Sequence, residues 1–319
     1  MNTLGIDHGT QSMRFCALSG DGREVNFEIG RREALKKSIL REIEERVPFT
    51  IDMVGMAYSM GDGIDAIVDL HKVENRGLLE KRTGDFVGGG TKVFDEIYNS
   101  KLRAVLIPGL HRGIACLDPR FKALYSHCAA ADKVSLSYHA FLEVNKDVEA
   151  KNLIISDISS NTVTIGIKDG KFFGAIDACL GAIGILHGPL DLETIRRVDR
   201  GETTANEAFY SSGAIKIFEG SSKNILNQKT EEARLALESL ILSAKMEIYS
   251  LLDEVDPEAI VITGSAGIHD NVYNQLENSL QRFTQVFNVD GFSAAKGGAE
   301  IARAVLGSKT DILGIPIKR

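Results

Sequence analysis

The chain has 319 residues, 44% hydrophobic and 25% charged, which is ample for two ordinary globular cores. A net charge of -7, with no long run of Lys or Arg, excludes nucleic-acid binding by electrostatics. No apolar run reaches the ~18 residues that span a bilayer, Asp7 and His8 interrupt any signal-peptide profile, and Cys16, Cys116, Cys128 and Cys179 form no CxxC; a cytoplasmic, reducing location is expected, with neither a membrane nor a disulfide framework.

Residues 3 to 29 predict three consecutive strands, and Arg31 to Arg46 a helix stopped by Pro48. Ile51 to Tyr58 reads as a strand, after which glycines crowd in, ending in Gly88-Gly89-Gly90; Thr91 suits the N-cap of a helix through Tyr98. Residues 50–100 are therefore expected to form an insertion or lid. Arg103 to Ile107 is a buried strand, Asp118-Pro119 starts a short helix, and Lys133 to Val144 is a helix leading to further strands. Residues 180 to 226 read as short helices and turns. Gln228 to Glu254 is a long amphipathic helix, ended by Asp256-Pro257. Then come the apolar strand Ala259–Thr263, the turn Gly264-Ser265-Ala266-Gly267, a helix to about Gln281, the strand Thr284–Val289 and a last helix, Ser293–Leu306, containing Gly297-Gly298-Ala299.

One pattern occurs twice. Leu4 to Asp7 is a strand ending in Asp, followed by the polar turn His8 to Ser12, a second strand and Gly20-Asp21-Gly22. Ile154 to Asp157 repeats this, with the turn Ile158 to Thr162, a second strand and Asp169-Gly170. Either turn alone also reads as an ordinary polar connection. As a pair, facing one cleft, they would present two carboxylates and two hydroxyl- and amide-rich turns to a metal-bound polyphosphate. In the first turn Gly9 permits close approach of an anion, with Thr10, Gln11 and Ser12 beside it; in the second, Ser159 and Ser160 stand where glycines are wanted, followed by Asn161 and Thr162. Gly264 to Gly267 follows a buried strand and precedes a helix, a place for a base or phosphate or simply a tight turn. There is no GxGxxG and no GxxxxGK[ST], so Rossmann and P-loop readings lose support.

Gly5 to Ser12 resembles the first phosphate motif of the acetate and sugar kinase, heat-shock ATPase and actin superfamily; Asp157 to Thr162 resembles the second, and Ile262 to Gly267 the adenosine motif. Lys133–Val144 and Ser293–Leu306 look like its two connecting helices. The resemblance implies an α/β fold of two duplicated ribonuclease-H-like (actin-like ATPase) domains flanking a nucleotide cleft: residues 1–145, residues 146–292 with the nucleoside turn, and a C-terminal segment, 293–319, returning to the first domain. It implies ATP and Mg2+ as cofactors, Asp7 and Asp157 as metal and catalytic residues, Gly9, Thr10, Gln11, Ser12, Ser159, Ser160, Asn161 and Thr162 at the phosphates, and Gly264, Ser265, Ala266 and Gly267 at the nucleoside. Pro108 to Gly113, Leu117 to Cys128 and His187 to Asp191 are similar to the archaeal methanogenesis marker protein 12 family, a branch of that superfamily.

The implied activity is phosphotransfer to an acceptor, or ATP hydrolysis, with a nucleotide-responsive assembly factor as the alternative; a homodimer or a protein partner fits either. His111 and Arg112 are the candidate catalytic pair beside the acceptor, and Gly89, Gly90, Thr91 and Arg120 the candidate substrate contacts, since arginine suits bidentate contact with carboxylate or phosphate. His111 also reads as a solvated loop residue. His8, His127 and His139 read as packed or surface residues. A third alternative, an iron-sulfur electron activator, would use Cys128 and Cys179 of two subunits, against the simpler reading of structural cysteines.

Overall fold

The computed structural model describes residues 1–9, 12–80, 88–218 and 220–318. It divides into two compact units, unit 1 (Met1–Glu143 with Phe292–Arg319) and unit 2 (Val144–Gly291).

Unit 1 opens with an antiparallel meander, β1 (Thr3–His8), β2 (Ser12–Leu18) and β3 (Glu24–Gly30). Two helices follow where one was expected, α1 (Arg31–Ala34) and α2 (Ile39–Arg46). The break falls at Ser38, whose hydroxyl accepts the Arg41 amide and restarts the helix as an N-cap. β4 (Met53–Ala57) runs parallel to β1, β5 (Ile67–Asp69) joins the same sheet, and α3 (Gly88–Tyr98) packs on α1. β6 (Ala104–Leu106) is parallel to β4. Residues 50–100 thus supply a central strand and a packed helix of the unit. That corrects the expectation of a lid: Met53 to Ala57 is buried throughout, as a strand covered on both faces requires. β7 (Leu110–His111) and β8 (His127–Ala129) pair separately, with α4 (Pro119–Leu124) between them, and α5 (Ala131–Val144) follows.

Unit 2 repeats the plan. β9 (Leu153–Ile158), β10 (Thr162–Lys168) and β11 (Lys171–Ile176) form the meander. Short helices α6 (Leu192–Asp199), α7 (Ala205–Tyr210) and α8 (Ser222–Leu226) lead to the long α9 (Glu231–Val255), capped by Thr230 and ended by Asp256 in the left-handed region at φ 50. β12 (Ala259–Thr263) runs parallel to β9; α10 (Asp270–Leu280) and β13 (Gln285–Asn288) complete the sheet, β13 parallel to β12. The chain returns to unit 1 with α11 (Ser293–Leu306), β14 (Asp311–Ile312) and β15 (Ile315–Lys318).

Among the described residues the sheet orders are β14-β15-β5-β6-β4-β1-β2-β3 in unit 1 and β11-β10-β9-β12-β13 in unit 2. Each holds the same five-strand core: three antiparallel strands, then two parallel additions beside the first. α11 lies on β1 and β4 at glycines, because a Cβ on Gly5 would sit 1.8 Å from the Ala295 carbonyl oxygen and one on Gly55 2.0 Å from that of Gly298.

Candidate functional site

The register makes the duplication concrete. In unit 1 the parallel pairing of β1 with β4 ends at Asp7 opposite Ala57; in unit 2 that of β9 with β12 ends at Asp157 opposite Thr263. Both carboxylates therefore stand at the carboxyl end of the first strand, beside the central parallel neighbour, where open α/β sheets bind ligands. Both are buried, at 3% and 4% exposure.

In unit 1, the Arg14 guanidinium stands 3.8 Å from the Asp7 carboxylate. Gly9 makes the turn possible, as a Cβ there would lie 2.8 Å from the Ser12 carbonyl oxygen. Thr10 and Gln11 lie outside the described residues. The Ser12 hydroxyl donates to Glu28 on β3 at 3.1 Å. His8 lies 2.8 Å, through Nδ1, from the Ala57 carbonyl and edge-on to Tyr58; burial, helped by Arg31, pushes its pKa down to about 4. The Arg31 guanidinium reaches the Gly9 carbonyl at 3.4 Å.

The remaining unit 1 candidates fall elsewhere than expected. Gly89 and Gly90 form the first turn of α3 and pack behind the first polar turn: a Cβ on Gly89 would lie 2.3 Å from the Arg31 carbonyl oxygen, and one on Gly90 3.3 Å from the His8 ring. Thr91 is inside the helix rather than capping it, buried, with its hydroxyl 3.3 Å from that of Tyr58. His111 is buried on β7, not a solvated loop residue. Its Nε2 lies 2.9 Å from the Ile64 carbonyl and its Nδ1 accepts the Gly113 amide at 3.1 Å, so both nitrogens serve the backbone. Arg112 is exposed, and Arg120 closes on Asp118, the N-cap of α4, at 2.9 and 3.1 Å. These contacts tie His111 and Arg120 to local structure.

Sequence reasoning missed a different set. Asp132, in the first turn of α5, pairs with the buried Lys133 at 2.7 Å and acts electrostatically on both His8 and His127. His127 lies on β8, and burial holds its pKa at about 4; Asp62 opposes that shift and His111 adds to it. These residues surround the chain ends that follow β1 and β4. The available signal was an Asp-Lys pair at a helix start immediately after a small apolar run, Cys128 to Ala131.

In unit 2 the two predicted turns are joined. The Ser159 hydroxyl donates to Asp157 Oδ1 at 2.7 Å and accepts the Ser265 amide at 3.1 Å, while the Ile158 carbonyl accepts the amides of Ala266 and Gly267, each at 2.9 Å. Gly264 is required twice over: its φ is +89, and a Cβ would lie 2.2 Å from Asp157 Oδ1 and 2.5 Å from Ser159 Oγ. The glycine absent from the second turn is thus present on the turn that faces it. Gly267 precedes α10 by three positions and His269 caps that helix, so the turn is not the helix N-terminus that the sequence suggested. The carbonyls of Ser159 and Ser160 accept amides of Ile185, Leu186 and His187, and the Thr162 hydroxyl donates to the Ile183 carbonyl, which commits it to this strap. Ser160 and Asn161 remain partly exposed at the tip.

Beneath this turn, Thr164 on β10 donates to Glu247 of α9 at 2.7 Å and lies 3.0 Å from the Ser156 hydroxyl; the Ala182 amide binds the other Glu247 oxygen. Burial, with Asp177 nearby, pushes the Glu247 pKa up to about 8, so it is a neutral acid at pH 7. Because the folded-state value lies above the unfolded one, its stabilising contribution is full below about pH 4.5 and is lost as pH rises through about 8. Glu247→Gln should remove that slope, raising stability at pH 8.5 by on the order of 4 kcal/mol relative to the wild type while changing little at pH 4.5. Urea unfolding at the two pH values measures this; an equal effect at both would contradict a neutral Glu247.

Residues 5–313 match the family described as "Protein of unknown function (DUF1464)". The chain belongs to the DUF1464 family. Its relatives in that family include the UPF0285 protein of Methanocaldococcus jannaschii, 48% identical over 100% of this chain and 99% of that protein, and the UPF0285 protein of Methanothermobacter thermautotrophicus, 41% identical over 99% and 98%. Among solved structures, this DUF1464 chain is similar to the acetate kinase of Porphyromonas gingivalis (TM-score 0.64, 12% identity, 96% of this chain and 99% of that one). It is also similar to a ROK family glucokinase of Streptomyces griseus in complex with glucose and AMPPNP (TM-score 0.55, 16% identity, 95% and 99%). The fold is that of the acetate and sugar kinases: mixed α/β, with two duplicated ribonuclease-H-like domains. No helix among the described residues is long and apolar enough to cross a membrane.

Proposed function

We propose that this protein binds ATP with Mg2+ and transfers the terminal phosphoryl group to an acceptor or to water. The observation that carries the reading is the matched pair of buried carboxylates, Asp7 and Asp157, at the same register in two copies of one fold. Carboxylate oxygens are the donors Mg2+ prefers, and the ion, when bound, neutralises charge on the transferring group. Asp157 and the Ser160–Asn161 tip are our candidates for the phosphates; with the Ser159 and Ser160 carbonyls drawn onto residues 185–187, the partly exposed Ser160 and Asn161 are left at the tip. Within unit 2, Gly264 to Gly267 is our candidate for the nucleoside; within unit 1, Asp7 and Gly9 are the corresponding candidates for metal and phosphate. With the polar atoms of His111 and Arg120 held in local contacts, we take Tyr58, His127, Asp132 and Lys133 as the candidate acceptor contacts instead. Burial keeps the His8 and His127 imidazoles neutral at pH 7. The methanogen origin of the relatives supports a link to methanogenesis by association.

A second reading, a slowly hydrolysing assembly factor, is favoured by one contact: the Ser159 hydroxyl already occupies Asp157 Oδ1. The iron-sulfur reading gains nothing, since Cys128 is fully buried while a cluster shared by two subunits takes surface thiols. Phosphate release, measured with excess ATP and Mg2+ and a panel of carboxylate and sugar acceptors, tests the proposal. Acceptor-stimulated turnover supports transfer; tight nucleotide binding with no release supports the assembly reading.

A further inference from the structure

We propose that His139, Glu143 and Glu300 form a divalent-metal site in unit 1, of the mixed nitrogen and oxygen class that takes Zn2+. It shares no residue with the nucleotide reading above and stands independently of it.

The site is built by helix packing. α5 and α11 meet where a Cβ on Gly297 would lie 1.8 Å from the Ser135 carbonyl oxygen, an approach only glycine allows. One turn further along each helix, on the same faces, stand His139 and Glu300, four and three residues on, and Glu143 follows His139 by another four. The close contact therefore forces these side chains together. His139 Nδ1 lies 3.1 Å from both Oε1 and Oε2 of Glu300, and one ligand atom from each of the three residues lies within 4.8 Å of the others.

Two features distinguish this cluster from a surface group of acids. His139 is 5% exposed and fixed on a helix interior, so its imidazole is an oriented donor, and the Glu300 side chain is itself 18% exposed. The 3.1 Å separation is also close to the roughly 3.3 Å edge of a tetrahedron with bonds of about 2 Å, the lengths of Zn–N and Zn–O bonds. Glu143 offers the third ligand, a carboxylate oxygen within 4.8 Å of the other two ligand atoms. Three protein ligands leave one position for water, and two carboxylates with one neutral imidazole balance the charge of a dication. With ligands from both helices, the metal would tie α5 to α11.

The test is calorimetric titration of the chelator-treated full chain with Zn2+ at pH 7.5, with Mg2+ as comparison. The expected result is one Zn2+ per chain, weakened about 10-fold or more by Glu300→Gln and abolished by His139→Ala, with Cys179→Ser unaffected. His139→Asn, which keeps a polar side chain on α5, guards against a folding defect and should also lose the metal while retaining its circular dichroism. Cobalt substitution should give visible bands without the intense thiolate charge-transfer band. No stoichiometric Zn2+ binding, or equal binding by wild type and either His139 variant, would overturn the proposal.

Discussion

Asp157→Asn is expected to reduce ATP turnover by about 1,000-fold or more while leaving the fold intact. The amide oxygen of Asn can still accept the Ser159 hydroxyl, so the link from β9 through Ser159 to Ser265 survives. On the proposed function, what is lost is the negative charge that would position Mg2+, which an amide does not replace. Asp7→Asn should act in the same direction, since Asp7 holds the corresponding register position beside Ala57. Its pairing with Arg14 adds a modest structural effect, because removing one charge leaves the other partly buried. Phosphate release at saturating ATP, alongside circular dichroism, separates loss of chemistry from loss of structure. Unchanged turnover in both variants would remove these carboxylates from the mechanism.

Gly5→Val should cost unit 1 about 3 kcal/mol or more, lowering its thermal transition by roughly 10 °C. The reason is backbone against backbone: the Ala295 carbonyl occupies the space a side chain on Gly5 would need, and no rotamer change relieves that. α11 must lift from β1, exposing core residues such as Leu4 and Ile6. Gly22→Ala is the control. That glycine has open space around it, so its effect is limited to the strain of φ +90. Differential scanning calorimetry distinguishes the two; equal small shifts would contradict close docking of α11.

Much of the fold was legible because its signals are local. The alternation and turns of the two meanders, the apolar run of β12 and the stripe of α9 all follow from neighbouring residues. Residues 50–100 were misread because β4 belongs to the sheet through pairing with β1 and β6, partners far along the chain, while glycines nearby imitate a loop. Gly89 and Gly90 of the triple glycine form a packing surface for α1 and His8, a role no local pattern announces, while Gly88 has open space around it. The matched strand-end positions of Asp7 and Asp157 are readable from repetition, but the repair of the second turn is not. By local pattern Ser159 stands where a glycine is wanted; Gly264, over a hundred positions away, provides the space beside it. His111 and Arg120 carried the right chemistry by residue type, yet Ile64, Gly113 and Asp118 claim their polar atoms. Asp132 and Lys133 went unnoticed because helix starts are rich in such residues, and only burial of Lys133 sets this pair apart.

Calorimetric titration of the wild-type chain with AMPPNP, with and without Mg2+, tests the central claim most directly. The account predicts saturable one-to-one binding that requires Mg2+ and is weakened about 10-fold or more by Asp157→Asn. Absence of binding up to roughly 1 mM nucleotide, or binding indifferent to both Mg2+ and Asp157, would contradict it.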